Sequence, residues 1–403
     1  MQTNPTIKPM FSIFTKYQYS DTGKRDLRID FIRGVVMMVL IVVHIDMTSM
    51  YNYIAWERLG VTTGAEGFVL LSGLILGILS RLRLEHDGFS STANKQYNRA
   101  FLLYRTSLFV IVSIPIIGLI SWIDTHSVTT FTTYSGKVFN LYPDISLFWE
   151  YRDKIIAKFF LLRYGPHQFQ ILGLYVILLM LSPFILWLLS KNRVGVVISV
   201  SWIIYFVNNG FHMRLTGAQF EYAFPILTWQ ILFVHGLIIG YYRNQIWNFF
   251  HSKKGMITFF AIVFLFLLFL FFTYNNPLEG IPSYLRLHVI DPSTFKDIYQ
   301  KFFLKNTLGI GRLINDFVLL VCSYALLSYF WKPISRVLGW FFIPMGQASL
   351  YIFILHVYAC IIMSNIPLFS QGNIMINTLG HTVVLIMMWL AIKYKVGYSF
   401  IPR

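Results

Sequence analysis

The sequence predicts an all-α integral membrane protein built as a bundle of about ten transmembrane helices, and three observations predict it. The composition is 56% hydrophobic and only 12% charged. Apolar runs long enough to cross hydrocarbon recur along the chain, and the basic residues gather in alternate gaps between them. A mean hydropathy of +0.61 puts more apolar surface into 403 residues than a soluble core can cover, because a soluble domain is about a quarter charged. The 38 Phe, 24 Tyr and 10 Trp suit both the hydrocarbon and the headgroup belt.

Crossing about 30 Å of hydrocarbon at about 1.5 Å per residue takes about 20 residues. Runs of that kind lie near 30–49, 63–80, 100–122, 170–190, 194–209, 223–242, 256–274, 313–331, 346–366 and 377–393. The fourth and fifth are separated only by Ser190, Lys191, Asn192 and Arg193, which predicts a tight hairpin. The first 29 residues are polar and basic and the first run is long enough to span, so it is expected to stay as an anchor rather than be removed as a signal peptide. No internal repeat, paired broken helices, low-complexity tract or soluble insert is visible. The expected organisation is a basic cytoplasmic segment over 1–29, one membrane domain over 30–393 and a short cytoplasmic tail over 394–403.

Orientation follows from the short gaps, because Lys and Arg resist translocation. Lys8, Lys16, Lys24, Arg25 and Arg28 precede the first run, and Arg81, Arg83, Lys95 and Arg99 follow the second. Lys191, Arg193, Arg243, Lys253, Lys254, Lys332, Arg336, Lys393, Lys395 and Arg403 continue the series, whereas the short odd gaps hold Arg58, Arg214 or nothing. Both termini are therefore expected in the cytoplasm. The long gaps 123–169 and 275–312, rich in aromatics, are expected outside as interfacial helices or a lid.

The net charge of +16 is the sum of these topological residues and does not point to nucleic acid. Cys322 and Cys360 lie in apolar runs and read as small packing residues. No metal-ligand cluster, P-loop, dinucleotide fingerprint or Gly-x-Ser-x-Gly elbow is present, so no metal is expected.

Ionisable side chains inside spans cost several kcal/mol unless paired or wetted, which makes each a functional candidate. Asp30, Arg33 and His44 share one face of the first span, since eleven steps of about 100° return to within about 20°. Arg33 falls near the cytoplasmic entrance and His44 roughly 16 Å further out. That arrangement suits an anionic cytosolic donor whose reactive end reaches inward. The plainer reading pairs Arg33 with Asp30 near the headgroups and bonds His44 to a neighbouring helix. Glu66 opens the second span at the depth of His44, within a Gly-Ala-Glu-Gly stretch whose small residues also permit close helix packing. Arg99 and Arg105 enter the third span from the basic side, Arg99 doubling as a topological anchor. His356 lies mid-span, where a buried histidine is more often a packing residue than a catalyst. His235 and Asp316 are weaker candidates of the same kind.

The order and spacing of several segments resemble the OpgC family, relatives of the acyltransferase type-three membrane enzymes. The resemblance begins at Arg25-Asp26-Leu27-Arg28-Ile29-Asp30-Phe31-Ile32-Arg33-Gly34 followed by His44, an arginine and a histidine with ten residues between. It continues through Ala65-Glu66, Phe68, Leu71-Ser72-Gly73, Tyr104-Arg105, Leu174-Tyr175, Ser182-Pro183, Pro225, Trp229-Gln230, Gly236, Arg312, Ser349-Leu350 and His356. The chain departs from the family at Gln170-Ile171-Leu172-Gly173-Leu174-Tyr175, where an aspartate is expected at position 170. A glutamine is no acid or base, so that role passes to a residue such as His167 or the substrate differs.

The resemblance implies a membrane-bound O-acyltransferase of the inner (cytoplasmic) membrane. It would move an acetyl or succinyl group from cytosolic acyl-CoA to a hydroxyl of an extracytoplasmic glycan. His44 is then the general base or a transient acyl carrier, Glu66 orients its imidazole and His356 stabilises the thioester carbonyl. Arg33, Arg99, Arg105, Asp30 and Ser72 would hold the acyl-CoA, and Trp229, Gln230, His167, Gln170 and Arg312 the carbohydrate acceptor. The partners expected are the lipid bilayer, acyl-CoA and the carbohydrate, with a homodimer left open. A transporter of a glycan or other small polar substrate, using the same buried charges without acyl transfer, is the rival reading.

Overall fold

The computed structural model describes residues 17–20, 25–132, 137–277, 281–370, 373–399 and 401–402. The expected basic contributions of Lys8, Lys16, Lys24 and Arg403 lie outside the described residues, as does most of the 1–29 segment. Eleven helices of sixteen or more residues carry the described fold. They are α1 (Leu27–His44), α2 (Gly64–His86), α3 (Gly88–Gly118), α4 (Ile171–Ser190), α5 (Val194–Phe211), α6 (Ile226–Tyr241), α7 (Lys253–Tyr274), α8 (Ile310–Tyr329), α9 (Trp331–Gln347), α10 (Ser349–Ser364) and α11 (Ile374–Lys393).

Seven of these, α2, α3, α4, α5, α7, α8 and α11, are long and apolar enough to cross a membrane, and an eighth follows if α9 and α10 form one span. Each expected apolar run contains a helix, with instructive shifts. Helix α1 ends at His44, where Ile45 turns to extended backbone, so His44 sits in the last turn and not several residues short of the end of the expected run over 30–49. Helix α3 starts at Gly88, adding a polar turn-rich stretch that hydropathy does not register. Helix α9 lies in what the sequence reads as a gap, because Lys332, Pro333, Arg336 and Pro344 break its apolar run. Pro333 falls in its first turn, where a missing N–H costs nothing. Helix α9 meets α10 at 88° across Ala348, a broken pair not foreseen from the sequence.

Close packing is set by small residues. In α2, Gly73 and Gly77 lie against the Phe233 and Leu237 carbonyls of α6, and in return Gly236 and Gly240 of α6 lie against the Leu70 and Leu74 carbonyls. This is a reciprocal Gly-x3-Gly contact in which any Cβ would strike backbone. Gly34 of α1 and Gly346 of α9 make a second such crossing, against the Phe342 and Asp30 carbonyls. The first contact locks α2 to α6, and the second seats α9 against α1, the helix that carries Arg33 and His44.

Outside the helices, a two-stranded hairpin pairs β1 (Thr130–Thr132) with β2 (Val138–Asn140). Short helices Arg152–Phe160 and Pro292–Phe302 occupy the two long gaps, as interfacial elements would. Trp149, Phe160, Leu161 and Tyr284 of these gaps are exposed.

Candidate active site

The N-terminal half of α1 faces a cavity of about 1200 Å³. Its lining holds eight basic residues, Arg25, Arg33, Arg81, Arg83, Lys95, Arg99, Arg243 and Lys395, against the acids Asp26 and Asp30. Ser72 and Tyr175 also line it. Arg33 bonds the Ser349 hydroxyl and stands 3.8 Å from Asp30, while Asp30 accepts two bonds from Arg25 at 2.6 and 2.7 Å. Below them Asp26 accepts from Arg28 and Arg243, each at 2.8 Å. Burial pushes the Asp26 carboxyl up, but these guanidiniums hold it below the usual range. The balance leaves a roomy, positively charged vestibule of the kind that receives phosphate groups.

At the other end of α1, His44 lines a much smaller cavity of about 30 Å³ with Trp56, Thr63, His167, Phe224 and Lys305. His44 Nδ1 is 3.0 Å from His356 Nε2, with the rings stacked at 5.1 Å. His356, fully buried in α10, places its Nδ1 2.7 Å from the Phe353 carbonyl. A carbonyl only accepts, so His356 Nδ1 carries the proton. For neutral rings, His356 Nε2 then accepts from His44 Nδ1–H, and the lone pair of His44 is left on Nε2. The Cys360 thiol donates to the His44 carbonyl at 3.4 Å, closing the last turn of α1. The His167 ring stands edge-on to His44 at 6.4 Å.

Between the cavities stands an aromatic stack. Phe68, on the wall of the large cavity, stacks on Phe353 at 5.3 Å, and Phe353 stacks on Phe169 at 5.3 Å. Phe353 also touches His356 at 4.8 Å. The rings thus run from the wall of the basic vestibule to the histidine pair.

Behind the small cavity lies a buried ionic cluster. Arg312 of α8 bonds Glu66 at 2.6 Å and also Glu57, donates to the Tyr299 hydroxyl at 2.9 Å and reaches the Phe303 carbonyl at 2.8 Å. Glu66 and Arg312 are fully buried. Burial raises the Glu57 carboxyl, against the pull of Arg312.

The structure thus brings His44, His356 and His167 together at one site and Asp30, Arg33, Arg99 and Ser72 together at the other. Several expected roles need correction. Glu66 does not orient His44: it is the third residue of α2, accepts from the Thr63 N–H at 3.1 Å and is held by Arg312. His356 has both nitrogens engaged, so it positions His44 and has none to offer a carbonyl. Arg105 is exposed beside the Phe101 ring, outside the large cavity, because six helical steps from Arg99 turn it about 120° away. Trp229 is fully buried, edge-on to Phe224 at 4.8 Å, and stands behind the cavity wall. Gln230 ties α6 to Ser201 of α5 at 2.8 Å, and Arg312 belongs to the ionic cluster, not to an open surface. Gln170 lines a separate cleft with Ser107, Gly165 and Phe220. His235 is a packing residue, bonded to the Ile231 carbonyl at 2.9 Å, and Asp316 is buried one turn beyond Arg312.

Three participants were not visible from sequence. Lys305 reads as one lysine among several in a long gap, and Phe353 as one apolar residue in an apolar run. Glu57 carried the only available signal, an acid beside Arg58 close to a span end.

No curated protein matches this chain, and no solved structure does. The family model described as OpgC protein matches residues 25–398, nearly the whole sequence, and with the arginine-to-histidine spacing of α1 now placed between two cavities, the chain belongs to the OpgC family.

Proposed function

We propose that this protein is a membrane-bound O-acyltransferase that moves a short acyl group, acetyl or succinyl, from cytosolic acyl-CoA to a hydroxyl of an extracytoplasmic glycan. Family membership and the set of membrane-length helices fit a glycan-modifying membrane acyltransferase in general. The observation that carries the specific reading is the placement of one α1 helix between a basic vestibule and a histidine pair. The eleven residues from Arg33 to His44 span about 16 Å, a distance suited to a long flexible donor arm.

In this reading ten segments cross the inner membrane, with both termini and the vestibule cytoplasmic and the two long gaps outside. Arg33 and Arg99 hold the donor phosphates, with Asp30 fixing Arg33 and Ser72 further along the wall. The donor arm passes the Phe68–Phe353–Phe169 stack and delivers the thioester to His44. His44 Nε2 takes the acceptor hydroxyl proton while the hydroxyl oxygen bonds the thioester carbonyl carbon. Collapse expels the CoA thiolate, which recovers the proton from the imidazolium. His167 and the aromatic outer elements line the approach of the carbohydrate.

The test is release of free CoA by purified full-length protein in lipid nanodiscs, with acetyl-CoA and succinyl-CoA in parallel and a soluble glucan oligosaccharide as acceptor probe. Turnover that His44→Ala abolishes is the expected result. Binding of neither donor would overturn the reading in favour of transport.

A further inference from the structure

The small cavity of His44 holds an ionisable group besides the histidines. Lys305 lies between the helix Pro292–Phe302 and α8, and it is the one lysine or arginine lining the cavity of His44 among the described residues. No carboxylate comes within ion-pair distance of its ammonium among those residues. The two acids whose charge it feels, Glu66 and Glu57, are both bonded to Arg312. Its aromatic neighbour is the Phe224 ring, 5.7 Å from Nζ. Burial lowers the pKa of this ammonium and the field of Glu66 works against that lowering. A sheltered cation beside a general base, with its neighbouring acids already spoken for, is placed where an incoming negative oxygen gains most.

We infer that Lys305 is the cation that receives an anionic oxygen beside His44 during acyl transfer. The inference rests on the acyltransferase reading and adds a catalytic residue to it. As the acceptor hydroxyl oxygen bonds the thioester carbon and its proton passes to His44 Nε2, the carbonyl π electrons move onto oxygen. That oxyanion is neutralised by the Lys305 ammonium until the carbon–sulfur bond breaks and CoA leaves with the proton. A carboxylate on the acyl group is the other source of an anionic oxygen at the same position, and the two sources separate by experiment.

Lys305→Met and Lys305→Arg are compared with wild type in full-length protein, following CoA release with acetyl-CoA and succinyl-CoA and a soluble glucan oligosaccharide. Removing one preorganised charge from an oxyanion site lowers kcat by about a hundredfold or more. An equal kcat loss with both donors in Lys305→Met, recovered to within about tenfold by Lys305→Arg, identifies the thioester oxyanion. A rise in KM confined to succinyl-CoA identifies a substrate carboxylate. Should Lys305→Met not yield folded protein, Lys305→Gln against Lys305→Arg decides the same question, with CoA retention in the vestibule reporting the fold. Wild-type turnover that neutral substitution leaves within about twofold overturns the role of Lys305 alone. A wild type inert toward both donors overturns the parent reading, and this inference with it.

Discussion

His44 and His356 are joined by a 3.0 Å bond whose direction is dictated from behind, because His356 Nδ1 is committed to the Phe353 carbonyl at 2.7 Å. The pair therefore sets the tautomer of His44 and frees Nε2. His356→Leu removes the acceptor and should lower kcat by about a hundredfold while leaving the KM for acyl-CoA near wild type, since general-base catalysis contributes about 10²–10⁴-fold. His356→Gln keeps an acceptor oxygen and should retain activity within about tenfold of wild type. Steady-state kinetics on both variants checks the order, and equal losses would mean that His356 serves only packing.

The vestibule makes a sharper test of which arginines matter. Arg33 and Arg99 line it and Arg105 does not. Arg33→Gln and Arg99→Gln should each raise the KM for acyl-CoA about tenfold, the loss of one charge-assisted hydrogen bond. The wild-type KM should also rise with salt, and less steeply in either variant. Arg105→Gln should leave it unchanged. Isothermal titration with free CoA separates the two outcomes, and an Arg105 effect equal to that of Arg99 would move the donor site.

The Arg312 cluster predicts a stability effect. Arg312→Met leaves Glu57 and Glu66 buried beside one another without a counter-ion, a change that costs about 3–5 kcal/mol when one partner of a buried pair is removed. The thermal midpoint in detergent should fall, and Arg312→Met combined with Glu66→Gln should recover part of the loss. A substrate-binding role for Arg312 would show the opposite pattern, with lost activity at an unchanged midpoint.

Apolar run length and charge made the helices legible, since every expected run contains one, and the Arg33–His44 stripe marked the helix that runs from the large cavity to the histidine pair. What stayed hidden was tertiary. The end of α1 at His44 depends on the turn at Ile45, which no hydropathy window detects. Helix α9 was hidden by its own prolines and basic residues, although Pro333 sits where a helix tolerates it. Glu66 and Arg312 were both visible as buried charges, yet their mutual pairing joins residues 246 positions apart. A depth argument alone assigned Glu66 to the nearest imidazole.

The aromatic stack between the cavities carries the last prediction. Phe68 belongs to the wall of the vestibule, Phe353 is fully buried and Phe169 precedes Gln170 at the head of α4, so the three rings bridge α2, α10 and α4. In the proposed acyl transfer these rings keep vestibule water from His44, and Phe68 swings aside to let the thioester pass. Phe68→Ala opens this path permanently. With acyl-CoA present and no acceptor, water then reaches the thioester at His44, and hydrolysis should rise severalfold over wild type while transfer to a glucan acceptor falls. Phe68→Leu, which fills most of the same volume, should behave close to wild type. Acceptor-independent release of CoA thiol measures the leak, and His44→Ala in the Phe68→Ala background should silence it. A leak that survives the loss of His44 would mean that water enters by another route and that the stack is packing alone.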